Sequence, residues 1–145
     1  MKLHLIGKLQ TNKVKQAIKI FDYIHSVDSE KLAKKIAEEE IKQGKKIKIF
    51  IQVNIGNEEQ KSGVNKSSVY ELYSYCKAIN LNVIGLMCIP PLTKSSDIYF
   101  KEMNILNKNL NLNELSMGMS SDYLDAIKNS ATYVRIGSNI FGQRS

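Results

Sequence analysis

The sequence predicts an α/β domain built on a parallel sheet, and three observations carry that reading. Strand-like and helix-like hydrophobic periods alternate from one end of the chain to the other. The strand at 47–54 is apolar on both sides, with Ile47, Ile49, Ile51 and Val53 on one face and Phe50 on the other. Burial of both faces is what a parallel sheet covered by helices requires. The connections are also short enough for right-handed parallel crossovers. At 145 residues, 43% apolar and 24% charged, the chain has the size and balance of one globular domain spanning 1–145. It is too short for a complete (β/α)8 barrel, which takes about 250 residues.

The elements follow in order. Residues 3–7 form a short strand closed by Gly7, and Thr11 caps a helix in which Val14, Ala17, Ile18 and Phe21 recur at helical spacing. Residues 23–27 are the next strand. Asp28 and Ser29 then cap a helix with Leu32, Ala33, Ile36, Ala37 and Ile41 on its apolar face, ended by Gly44. After the strand at 47–54, Ser68-x-x-Glu71 matches a capping box for a helix carrying Val69, Leu72, Tyr73, Cys76 and Ile79. A strand over 81–87 stops before Pro90-Pro91, and a helix follows over 96–109. Short strands at 115–117 and 133–136 flank a helix at 123–128, and Gly137 and Ser138 open a final helical turn. The pattern makes six β-α repeats without a low-complexity linker. It fits a doubly wound sheet and part of a barrel equally well.

Several function classes fall away. No apolar run approaches the ~18 residues of a membrane span, and Met1-Lys2-Leu3-His4 opens no signal peptide. A cytoplasmic protein with no membrane partner is expected. Cys76 and Cys88 make neither a disulfide framework nor a zinc motif. The net charge of +7 and pI near 9.3 could signal nucleic acid, but the lysines are scattered along the chain and read as a solvated surface, so no nucleic-acid partner is expected. Arginine stands out against that background. Only Arg135 and Arg144 break the lysine habit, and an arginine suits a task needing a planar, permanently charged fork.

In either architecture the functional groups lie at the C-terminal ends of the strands. Ser120 after one strand, and Gly137 with Ser138 after the next, make a plausible phosphate cradle of backbone amides and hydroxyls. The same residues are also ordinary turn and cap chemistry. His4 and His25 sit inside strands and read as satisfied core histidines, not metal ligands. Cys88 reads as an inert thiol, and Asp97, Glu102 and the run Glu38-Glu39-Glu40 as solvated helix faces. No nucleophile or acid/base pair is marked.

Six strings then become recognisable together: His4-Leu-Ile-Gly-Lys-Leu-Gln-Thr-Asn-Lys13, His25-Ser-Val-Asp-Ser29, Gln52-Val-Asn-Ile55 with Lys61-Ser-Gly-Val64, Gly85-Leu-Met-Cys-Ile-Pro90, Leu115-Ser-Met-Gly-Met-Ser-Ser-Asp122 and Val134-Arg-Ile-Gly-Ser-Asn-Ile-Phe-Gly142. In this order and spacing they closely resemble the YggS family of pyridoxal phosphate homeostasis proteins, relatives of the alanine racemase N-terminal barrel. The resemblance implies a parallel (β/α) barrel of the TIM type, with about six of eight β-α units present, and pyridoxal 5′-phosphate (PLP) as cofactor. It implies a non-catalytic carrier or regulator of PLP. It places Ser120, Gly137 and Ser138, with the Ile136 turn, at the cofactor phosphate and Arg135 at the pyridine nitrogen.

The departure from the family pattern lies at the start. The family's first strand carries the lysine that forms the Schiff base with PLP, and neither that motif nor the next has a counterpart here; Lys8 and Lys13 belong to a later motif. The chain therefore reads as the C-terminal two-thirds of the barrel, truncated before its third strand. Two open sheet edges then predict self-association, or pairing with a complementing N-terminal fragment. The competing readings are a racemase-like PLP enzyme, which needs a lysine and two acid/base groups that cannot be located, and an inactive gene fragment.

Overall fold

The computed structural model describes residues 1–59, 61–92 and 95–144. In chain order the elements are β1 (His4–Leu5), α1 (Val14–Ile20), β2 (Tyr23–Val27), α2 (Glu30–Gln43), β3 (Lys48–Asn54), β4 (Val64–Asn65), α3 (Val69–Ala78), β5 (Asn82–Met87), α4 (Asp97–Asn109), β6 (Glu114–Met119), α5 (Tyr123–Lys128), β7 (Tyr133–Arg135) and α6 (Ser138–Phe141).

The sheet runs β1-β2-β3-β5-β6-β7, every pairing is parallel, and the two-residue β4 hooks onto the end of β3. Order in space thus follows order in the chain. A doubly wound sheet would reverse direction at a switch point, so the topology selects the barrel. The sheet also curls. His25 on β2 reaches Ser116 on β6 at 2.8 Å, passing over β3 and β5. The rings of His4 and Tyr23 each come within 5.8 Å of the Tyr133 ring on β7. The molecule is a half-barrel whose first and last strands meet across its hollow.

The curl gives the sheet two unlike faces. On the convex side Val14, Ile18, Ile36, Ile49, Phe100 and Met103 join strands to helices in one fully buried cluster. On the concave side Tyr23, Phe50 and Met87 form a smaller aromatic cluster, backed by Ile6, Ile84 and Tyr133. Phe50 belongs to the second cluster and its neighbours Ile49 and Ile51 to the first, the alternation that a strand's period of two dictates.

Some local expectations hold and others are corrected. The Ser29 hydroxyl accepts from the Leu32 amide at 3.1 Å, and Gly44 takes a left-handed conformation (φ 60°) to end α2. Thr11 and Ser68 make no side-chain cap. A 3-10 turn runs into each helix instead, and its own backbone bond (Val14 to Thr11, Val69 to Lys66) occupies the first amide. Ile41, expected in the apolar face, is exposed, while Glu39 and Glu40 are buried. The cause is the sharp return from Gly44 into β3. It leaves the Ile47 amide buried without a ladder partner, and the Glu40 carboxylate accepts from it at 2.7 Å. Burial raises the Glu40 carboxyl above its usual range. Glu39 is held by Gln43, Lys35 and Lys42.

One side chain ties the second half of the sheet together. Asn107, buried near the end of α4, accepts from the Leu86 amide at 3.1 Å and donates to the carbonyls of Leu112 (3.2 Å) and Glu114 (2.9 Å). It thereby sets β5 against the start of β6. Asn107→Ala strands the buried Leu86 amide and leaves two half-buried carbonyls unpaired, and a loss of roughly 2–4 kcal/mol is expected in urea unfolding. A loss under about 0.5 kcal/mol, typical of a surface change, would contradict the bridging role.

Candidate functional site

The C-terminal ends of β6 and β7 come together through a deliberate irregularity. Ser116 pairs with Tyr133 and Met119 with Arg135, so three steps on β6 face two on β7. Gly118 makes this possible. Its φ is 103°, and a Cβ there would lie 2.7 Å from the Ala126 Cβ and 3.2 Å from the Tyr123 Cα. The bulge brings the loop after β6 against the turn after β7. Ser120 Oγ accepts from the amides of Gly137 (3.2 Å) and Asn139 (3.4 Å), and the Ser120 carbonyl accepts from the Asn139 side chain at 3.1 Å. Asp122 braces the loop from behind, accepting from the Met119 amide at 2.8 Å and from Ser96 Oγ at 3.1 Å. Above this lies an open cleft of about 580 Å³ whose lining includes Ser120, Ser121, Arg135, Gly137 and Ser138.

Two arginines line the cleft, the exposed Arg144 and the more buried Arg135. The terminal nitrogens of Arg135 donate to Ser116 Oγ at 2.7 Å and to the Cys88 carbonyl at 2.9 Å. Its Nε is buried and has no acceptor among the described residues. Burial lowers the guanidinium from its usual value, opposed by Cys88 and Asp122; arginine nonetheless stays a cation in proteins. Burial pushes the neighbouring Cys88 thiol up to about 12, so it carries no thiolate at neutral pH.

Behind Arg135 the polar contacts continue inward. His25 Nδ1 lies 2.8 Å from Ser116 Oγ, and His25 Nε2 lies 3.0 Å from His4 Nδ1. Aromatic rings hold both imidazoles: His4 stacks on Tyr23 at 4.0 Å and His25 on Phe50 at 4.3 Å. Burial drives His25 down to about 3, with His4 and Arg135 adding in the same direction. Burial also lowers His4, partly offset by Asp22. His25 is neutral at physiological pH. Among the described residues no group of three or more His, Cys, Asp and Glu could hold a metal ion.

Of the residues singled out from sequence, Ser120, Arg135, Gly137 and Ser138 meet in one cleft, and Ile136 is partly buried between the last strand and the turn. Sequence reasoning missed Ser116, Asn139 and the reach of the two histidines toward Arg135. A signal existed: His4, His25 and Ser116 are polar residues inside apolar strands.

The family model for "Alanine racemase, N-terminal domain" matches residues 1–145. This chain belongs to that family. Within the alanine racemase N-terminal domain family, it is 42% identical over 151 residues to the pyridoxal phosphate homeostasis protein of Aquifex aeolicus, covering 97% of this chain and 66% of that one. It is 36% identical to the homologous protein of Vibrio alginolyticus, covering 97% and 64%. The chain thus spans slightly under two thirds of these relatives, which are named for homeostasis and not for a reaction. The structure of PipY from Synechococcus elongatus PCC7942 with PLP bound superposes with a TM-score of 0.90 at 32% identity, covering 98% of this chain and 71% of that one. The alanine racemase of Clostridium difficile 630, at 18% identity and a TM-score of 0.75, shares the family fold. No described helix is long and apolar enough to cross a membrane.

The buried His25 makes stability depend on pH. Its folded value is near 3 and its unfolded value near 6.5, so between these the unfolded chain binds the extra proton. Stability is therefore full above about pH 6.5 and falls as pH drops toward the folded value. Between pH 7 and pH 5 the expected loss from His25 is about 2 kcal/mol. Denaturant titrations at the two values check it, with His25→Gln removing most of the difference. An equal slope in the variant would assign the effect elsewhere.

Proposed function

We propose that this chain is the phosphate- and ring-nitrogen-binding part of a PLP-binding protein, acting as a non-catalytic carrier or regulator of the cofactor. The observation that carries the reading is Arg135, a cation lining the cleft whose buried Nε–H has no acceptor among the described residues, beside the Ser120–Gly137–Asn139 cradle. A buried donor left unmatched costs free energy, and the lone pair of an unprotonated pyridine nitrogen satisfies it. The amides and hydroxyls of Ser120, Gly137 and Ser138 suit a phosphate dianion. The names of the curated relatives and the PLP-bound PipY neighbour support the same cofactor.

When bound, PLP supplies an electron sink whose strength depends on a protonated ring nitrogen. Arg135 has no acceptor and cannot give up its own proton, so it holds that nitrogen unprotonated and keeps the sink weak. Retention of the cofactor, without carbanion chemistry, is what such a partner favours. The outer edges of β1 and β7 have no strand partner among the described residues, which supports self-association or pairing with a complementing segment. A monomer with a cooperative melt in sedimentation and thermal scans would contradict that part.

Titration of the chain with PLP, followed by cofactor absorbance, tests the reading. Saturable binding is expected, weakened about tenfold or more by Arg135→Ala and by Ser120→Ala, as loss of one charge-assisted hydrogen bond implies. Binding that neither substitution changes would move the site elsewhere.

A further inference from the structure

We propose that Ser116 and His25 are positioning residues for Arg135, linked in a one-way chain of hydrogen-bond donors that starts at the guanidinium and ends at His4. The argument is a count of protons. Arg135 only donates, so Ser116 Oγ accepts from it at 2.7 Å. Ser116 is wholly buried, and among the described residues its one other side-chain partner is His25 Nδ1 at 2.8 Å. The hydroxyl proton must therefore go to His25; were His25 to donate as well, that proton would be stranded in a dry interior. His25, accepting at Nδ1 and neutral, carries its proton on Nε2 and donates to His4 Nδ1 at 3.0 Å. His4 in turn carries its proton on Nε2, at the more exposed end.

The order has a consequence for the cleft. The guanidinium plane is held at two corners, by Ser116 on β6 and by the Cys88 carbonyl after β5. Nε is the one guanidinium nitrogen with no partner among the described residues, and its N–H is the donor assigned above to the cofactor ring. The relay links β1, β2, β6 and β7 across the hollow, so the first strand of the chain bears on the arginine of the last. Its role toward the cofactor rests on the proposed PLP reading, but its proton order does not.

Nitrogen-detected NMR on the full chain tests the order directly. With two histidines and two arginines the spectrum has four imidazole nitrogens and two guanidinium Nε–H signals. The expected result near pH 7 is both histidines as Nε2–H tautomers, with a slowly exchanging Nε–H from Arg135. A His25 protonated on Nδ1 would overturn the proposal in the unsubstituted chain, whatever the fate of the variants. Ser116→Ala and His25→Phe are expected to speed solvent exchange at Arg135 Nε about tenfold. His25→Asn, whose side-chain oxygen can accept where Nδ1 did, is expected to restore slow exchange. Exchange that is equally fast in His25→Asn and His25→Phe would show a space-filling role alone and overturn the positioning role. In a parallel titration, Ser116→Ala is expected to weaken PLP binding and leave inorganic phosphate binding unchanged. Failure of the unsubstituted chain to bind PLP would instead count against the proposed function, with the tautomers still deciding the relay.

Discussion

A buried arginine that can only donate is the constraint around which the site is arranged. Removing a guanidinium from water is costly unless its protons find acceptors; the two terminal nitrogens of Arg135 find them on β6 and after β5, and its Nε–H finds none among the described residues. Those acceptors lie within reach because β6 carries one extra residue against β7, and the extra residue is tolerated because Gly118 adopts a conformation closed to other residues. The same bulge lowers the Ser120 loop onto the turn after β7. One backbone irregularity thus serves both the cationic and the amide-lined parts of the cleft.

The hollow of the half-barrel is where this arrangement differs from an ordinary core. Its floor is aromatic, from Tyr23, Phe50 and Tyr133, yet two imidazoles and a hydroxyl are threaded through it. Neutral imidazoles make that threading affordable, because each matches one donor to one acceptor and brings no net charge beside Arg135. Stacking on Tyr23 and Phe50 fixes their planes. A positive charge at His25 would lose its hydration and would face Arg135 through a single serine, so burial and charge act on it in the same direction.

Much of the fold was legible because it follows from period and punctuation. The double-sided strand around Phe50, the Ser29 cap and the Gly44 stop stand where the pattern put them. The choice of barrel over doubly wound sheet was not legible from the residues alone, since both produce alternating strands and helices; the spatial order of strands decides it, and the six-motif resemblance pointed the same way. Glu40 was misread because a carboxylate in a helical charge run looks solvated until the next strand brings back an unpaired amide. Ser120, Arg135, Gly137 and Ser138 could be named from the strand ends and the family motifs. Ser116 carried only the signal of a polar residue in an apolar strand, and its role depends on His25, 91 residues away, being folded against it.

The measurement that tests the central claim most directly is a crystal structure of this chain grown with PLP. The account requires the phosphate on the amides and hydroxyls of Ser120, Gly137 and Ser138, and the ring nitrogen within hydrogen-bond distance of Arg135 Nε, with the Ser116 and His25 contacts intact. A cofactor seated in the cleft with its ring nitrogen turned away from Arg135, or found only on surface lysines, would contradict it.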